Sequence, residues 1–175
     1  MQQPSSIDPR TRRTRRAILD AFIELLDTRR YETIRIADLV AQAGVGRSTF
    51  YEHFHSKDDV LLAAMHPVLL ALSTAASGRA ARSYVKTMMR HLWDRRSIGR
   101  VILGSATSPI VQRHLAKMIQ PHIDRAGDAG IASPIRATGI AAAQIAMLRS
   151  WLAGEASCSA EDITDRMIDC ARLIG

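Results

Sequence analysis

The chain has 175 residues, 47% hydrophobic and 23% charged, with a formal charge of +7. That length suits one ordinary domain, or a small module joined to a larger one, with enough apolar residues for a core. Two cysteines twelve positions apart, Cys158 and Cys170, make neither a disulfide framework nor a metal-ligand spacing and fit a reducing cytoplasm.

No apolar run of about 18 residues stands out, so no membrane-spanning helix and no membrane partner are expected. The opening "MQQPSSIDPRTRRTRR" has arginines but no apolar stretch behind them, so it does not read as a secretory signal. The positive balance favours an anionic partner, of which nucleic acid is the commonest soluble one. Charge alone does not place the contact: residues 1–60 carry ten basic and nine acidic side chains, and residues 61–175 carry fourteen and eight. The densest run is Arg10, Arg12, Arg13, Arg15 and Arg16, five arginines in seven residues.

Residues 1–9 read as a disordered tail. Ile18, Phe22, Leu25 and Leu26 fall at helical spacing and predict a first helix over about 10–29, opening after Asp8-Pro9. Ile36, Leu39, Val40 and Ala43 predict a short second helix, stopped by Gly44 in a left-handed cap. A third short helix starts near Arg47 and carries Phe50 and Phe54 one turn apart. Ser56 and Asp59 form a capping box that opens a fourth helix, with a kink expected at Pro67 near His66.

Helical periodicity continues to the end. Val85, Met88, Met89 and Leu92 form one face of a helix whose other side carries Arg79, Arg82, Lys86 and Arg90, most simply solvated. Ser108-Pro109 and Ser133-Pro134 each read as a cap and start. The first of these helices turns Val111, Leu115, Met118, Ile119 and His122 inward and kinks at Pro121. Ser159 and Asp162 box the last one. With no sustained period-two alternation, the fold class is all-α. It divides into three N-terminal helices at 10–57 and a larger helical domain at 58–175.

The stretch "VGRSTFYEHFHSKDDV" concentrates three of the chain's eight aromatic residues within five positions. On a helix from Arg47, Phe50 and Phe54 point to one side as core pegs, and Arg47, Ser48, Thr49, Tyr51, Glu52 and His53 project from the rest. A helix this short does not stand alone in water, and the preceding helix with its "AGVG" turn is the natural brace. Two short helices so joined are the arrangement that presents side chains to a DNA major groove. Arg47 has the fork for guanine, Ser48 and Thr49 reach base edges or phosphate, and Tyr51, His53 and Lys57 reach phosphate oxygens. The same reactive residue types lie on an exposed convex helix rather than in a cleft, so an enzyme is not expected, nor any cofactor or metal.

"YETIRIADLVAQAGVGRSTFYEHFHSKDDVL" resembles the DNA-binding region of the TetR/AcrR family of bacterial one-component repressors, over about 45 residues from Arg16 to Leu61. The resemblance implies a ligand-responsive repressor that binds a palindromic operator on double-stranded DNA as a dimer. An activator, or a module of the same fold that binds an effector or protein without DNA, are the alternatives. It implies phosphate binding by Tyr51, His53 and Lys57, and by the Ile36 amide at the start of the second helix. Arg47 and Ser48 would face bases with Thr49 at the groove edge, and Arg15 and Arg16 would add contacts from the first helix. The sequence departs from the family pattern at Arg35, where a threonine cap is usual, leaving Thr33 to substitute.

Pro134 to Gly154 is apolar nearly all round, which calls for cover on both sides. A homodimer interface is therefore expected from Ile140, Gln144, Met147, Leu148 and Trp151, joined by Ile163, Met167 and Cys170 of the last helix. The family pattern places an unidentified small-molecule effector among the middle helices, with candidate lining residues Met88, Leu92, Trp93, Leu103, His114, Met118 and Met147. The fourth helix would act as a lever from that pocket to the DNA-reading head.

Overall fold

The computed structural model describes residues 8–77, 82–104, 107–125 and 132–173. The expected disordered tail falls outside these except for Asp8 and Pro9, which cap and begin α1. The described residues form nine α-helices and no strand: α1 (Pro9–Thr28), α2 (Ile36–Ala43), α3 (Arg47–His53), α4 (Lys57–Ala76), α5 (Arg82–Asp94), α6 (Arg96–Leu103), α7 (Ser108–Ile123), α8 (Ser133–Ala153) and α9 (Ala160–Leu173). A single 3-10 turn, Tyr31–Thr33, precedes α2. The fold is all-α. Two compact units divide between Ala64 and Met65, and α4 belongs to both by sequence.

In the first unit, α1 starts where Asp8 accepts from the Arg10 amide at 3.0 Å and Pro9 supplies a helical φ. Its apolar stripe buries Ile18, Ala21, Phe22, Leu25 and Leu26. These meet Leu39 of α2 and Phe50 of α3, both with no exposure, and Phe54 at 2%. The capping box before α4 forms as the sequence predicts. Asp59 accepts from the His55 and Ser56 amides at 2.9 and 3.0 Å, and its own amide donates to Ser56 Oγ at 3.1 Å.

Helix α4 corrects one sequence expectation. It is long and apolar enough, by length and composition alone, to cross a bilayer, with a mean hydropathy of 1.6. His66, Pro67, Ser73 and Thr74 interrupt the apolar residues without adding formal charge, so the hydropathy survives them. Half of that window is buried inside the protein, including Leu61, Leu69 and Leu72, which is how a core helix behaves.

In the second unit, α8 packs along α7, α6 and α9. Gln144 ties the layers: its Nε2 donates to the Leu72 carbonyl of α4 at 3.1 Å and the Met167 carbonyl of α9 at 3.2 Å. Helix α6 has no counterpart among the helices read from the sequence. Neither Ser-Pro pair places its serine as a cap. Ser108 and Ser133 are the first helical residues, and Ser133 Oγ donates to Asp124 at 2.5 Å. Within α7, Val111, Leu115 and Ile119 are buried as expected, whereas Met118 and His122 are only half-buried and Ala116 and Ile123 turn inward.

The basic face of α5 stays at the surface, but its charges are paired. Arg82 makes a two-pronged bond to Asp165 at 2.7 and 2.8 Å, and Lys86 and Arg90 both pair with Glu161. The i, i+4, i+8 spacing of these cations matches two acids one turn apart on α9, so it zips two helices rather than awaiting an anionic ligand. Arg79 lies outside the described residues.

Burial holds the His114 imidazole below its ordinary range, and His66 and Lys117 push it further down. His122 is lowered by burial and by Arg125. A depressed histidine protonates first in the unfolded chain. Its stabilising contribution is therefore complete above about pH 6.5 and is lost as pH falls through the folded value. Melting temperature should decline between pH 7 and pH 5, and His114→Gln should flatten that decline. An unchanged pH dependence in the variant would exclude His114 as its source.

Candidate DNA-binding surface

The reading head is built from the turn outward. Gly44 takes φ 65°, a left-handed conformation that costs glycine little, and the amides of Gly44 and Val45 close α2 on the carbonyls of Ala41 and Val40 at 3.3 and 3.0 Å. The chain can then begin α3 at Arg47 within three residues. α2 is held to α1 by Gln42, which donates to Glu24 at 2.7 Å.

The start of α2 departs from expectation. Arg35 has no side-chain acceptor to cap with. Instead Asp38 reaches back and accepts from the Arg35 amide at 2.8 Å, and its carboxylate pairs with Arg29 at 3.1 Å. That backbone bond, with Arg29 second, holds the Asp38 carboxyl below its usual range. Thr33 does not substitute as a cap, since its hydroxyl donates to the Arg30 carbonyl at 2.8 Å. The Ile36 amide has no partner among the described residues and stays available at the helix N-terminus.

On α3, the rings of Phe50 and Phe54 sit 6.0 Å apart and are buried. The other flank is open. Arg47, Ser48, Tyr51 and Glu52 are exposed and Thr49 and His53 half-buried, with Tyr51 at 50% exposure. No side-chain hydrogen bond or ion pair within the described residues engages Arg47, Ser48, Thr49, Tyr51 or Glu52. Tyr51 is braced only by an edge contact with Phe50 at 5.4 Å.

Arg15 is placed beside this flank. Its guanidinium lies 4.4 Å over the Phe54 ring and donates to the His53 carbonyl at 3.4 Å, which covers the end of α3. Arg16 points elsewhere, in an exposed pair with Asp20 at 3.0 Å. Lys57 is turned inward. Its ammonium donates to the carbonyls of Tyr31 and Ile34 at 2.7 and 2.8 Å and lies 4.1 Å over the Tyr31 ring. Desolvation lowers its pKa, while Asp58 and Glu32 oppose the fall. The Tyr31 hydroxyl donates to Asp58, and burial followed by that bond raises the tyrosine far above its ordinary range.

The residues named for an effector differ in burial, and neither described cavity gathers them as a set. Leu92 and Leu103 are buried, Met88, His114, Met118 and Met147 are half-buried, and Trp93 is 37% exposed, stacked 4.8 Å from Trp151. Of the seven, only Leu103 borders the cavity of about 340 Å³ between α6 and the end of α8. Arg100, Arg149 and Glu155, which share that cavity, were missed. Nothing in sequence spacing relates them.

The residues expected at a dimer interface are already used within the single chain. Ile140, Gln144, Leu148, Trp151, Ile163, Met167 and Cys170 are all at most 4% exposed, and only Met147 reaches the surface. Their cover comes from the chain's own α4–α9, so they are core. The outward strip of α8 is a different set, beginning at Ile135 with 73% exposure and continuing through Ala142, Ala143 and Ala146.

A braced pair of short helices with one unengaged polar flank is a helix-turn-helix arrangement, the kind that presents side chains to a DNA major groove. The family model described as bacterial regulatory proteins, tetR family, matches residues 18–64. Over that segment the chain is similar to the DNA-binding part of this family. It is 39% identical over 69 residues to the HTH-type transcriptional regulator EthR of Mycolicibacterium smegmatis, covering 35% of this chain and 32% of that protein. With the HTH-type transcriptional repressor LfrR of the same organism it shares 41% over 80 residues, covering 46% and 41% of the two chains. The matches therefore span about a third to two fifths of those relatives' lengths. A TetR-family regulator from Streptomyces coelicolor shares the fold across 97% of this chain and 98% of its own, with a TM-score of 0.66 and 18% identity. A TetR regulator from Streptococcus agalactiae does so over 94% and 96%, with a TM-score of 0.59 and 22% identity.

Proposed function

We propose that the chain is a ligand-responsive transcriptional repressor that binds a palindromic operator as a homodimer in the cytoplasm. The observation that carries this reading is the α3 flank of Arg47, Ser48, Thr49 and Tyr51, held out by buried Phe50 and left without a side-chain hydrogen bond or ion pair within the described residues. Arg47 and Ser48 read base edges in the major groove, and Thr49 sits at the groove edge. Tyr51, His53, the Ile36 amide and Arg15 neutralise or bond phosphates. The outward strip of α8 from Ile135 to Ala146 faces the second copy, so that two α3 helices meet successive half-sites about one helical turn apart. Helix α4, which begins in the first unit and ends in the second, couples the two when a ligand prefers one arrangement.

Mobility shift on DNA upstream of the chain's own gene, repeated at several salt concentrations, tests the reading. Affinity should fall steeply and linearly on log–log axes. Arg47→Ala should weaken the specific site about 5–150-fold and relax preference at one base pair per half-site. Salt-insensitive or absent binding would remove the proposal.

A further inference from the structure

We propose that the cavity between α6 and the last turns of α8 binds a small monoanionic amphiphile, a compact apolar body ending in a carboxylate. Its volume of about 340 Å³ lies at the small end of the roughly 300–1,000 Å³ typical of small-molecule sites. Leu103 and Leu152 give it an apolar floor and Ala146 an apolar wall, and Arg100 and Arg149 stand on its two sides.

Two glycines set how closely α6 and its end approach their neighbours, and of the two only Gly104 lines the cavity. Helix α6 is pressed against α8 at Gly99, where a Cβ would meet Leu152 at 3.0 Å and Leu92 at 3.2 Å. A second glycine, Gly104, forms the rim, where a Cβ would lie 2.5 Å from the Arg100 carbonyl oxygen.

Charge then selects the ligand. Arg16, Arg29, Arg82 and Arg90 all pair with acids, whereas the side chains of Arg100 and Arg149 have no hydrogen bond or ion pair among the described residues. Glu155 is the one acid at the rim, so two guanidiniums and one carboxylate leave a single positive charge. That balance suits a monoanion better than a phosphate dianion, and a guanidinium fork fits a carboxylate with two parallel bonds. Ser150 adds a hydroxyl to the same wall. The site lies outside the residues that periodicity suggested, apart from Leu103. As the sensing site of a repressor it rests on the function proposed above; as a binding site it does not.

Calorimetry on the full chain without DNA provides the test, with octanoate and 4-butylbenzoate as probes and octanol as the uncharged control. One carboxylate should bind per chain, saturably, with octanol at least about ten-fold weaker. Arg100→Gln and Arg149→Gln should each weaken octanoate about ten-fold or more, the double variant should abolish it, and Arg149→Lys should fall between. Both arginines are exposed, so far-ultraviolet circular dichroism should show folded variants. Octanol binding as tightly as octanoate, glutamine variants that bind it unchanged, or no saturation by either carboxylate would overturn the site. So would a double variant that changes oligomeric state in sedimentation while keeping its octanoate affinity, since the cavity would then be a seat for a second copy. Because no DNA is present, failure here leaves the DNA-binding reading standing. Loss of DNA binding likewise leaves this result standing.

Discussion

Phe50→Ala is expected to unfold the first unit and abolish DNA binding together. The ring has no exposure and packs against Phe54 at 6.0 Å beneath a helix of only seven residues. Truncating a buried phenylalanine costs about 3–5 kcal/mol, and a helix this short contributes almost no stability of its own. Chemical denaturation should show an early transition for the variant, and mobility shift should show no specific complex. Tyr51→Ala serves as the contrast. Its ring is half exposed, so the denaturation curve should barely move while affinity for DNA falls. If Phe50→Ala melted like the parent chain, α3 would not be held by its aromatic pegs.

Lys57→Met is expected to weaken DNA binding without changing its salt dependence. The ammonium already donates to two carbonyls, which join the turn before α2 to the first residue of α4. Removing it leaves the carbonyls of Tyr31 and Ile34 without that donor. Hydrogen bonds to a charged group are worth roughly 1.5–3 kcal/mol, and partial exposure places this cluster at the lower end. The melting temperature of the variant should fall and its affinity with it, while the slope of log affinity against log salt stays the same. A lysine that touched phosphate would behave differently, lowering the slope magnitude by about 0.9 on removal. That outcome would return Lys57 to the phosphate-binding set implied by the family resemblance.

The reading head was legible because its local signals agree. Gly44 marks a left-handed cap, Phe50 and Phe54 mark one buried side by their spacing, and Ser56 with Asp59 spells a capping box. Each depends on residues within four positions of one another. What was not legible depends on contacts distant in sequence. A lysine at position 57 says nothing of where its ammonium turns, and that is decided by carbonyls 23 and 26 residues earlier. Apolar residues all round α8 call for cover on every side, yet only packing shows that Gln144 and Trp151 face the chain's own core while Ile135 does not. The basic spacing of α5 looked merely solvated because its partners, Glu161 and Asp165, lie more than 70 residues away. The same distance hid Arg100 and Arg149, which only the fold brings to one cavity.

Methylation interference on a DNA fragment carrying the preferred site tests the central claim most directly. Methyl groups at guanine N7 occupy the major groove, and those at adenine N3 occupy the minor groove. If the free flank of α3 enters the major groove, N7 methylation should block binding in two clusters about one helical turn apart, and Arg47→Ala should erase sensitivity at one guanine in each. Interference confined to adenine N3, or none at either position, would contradict the account.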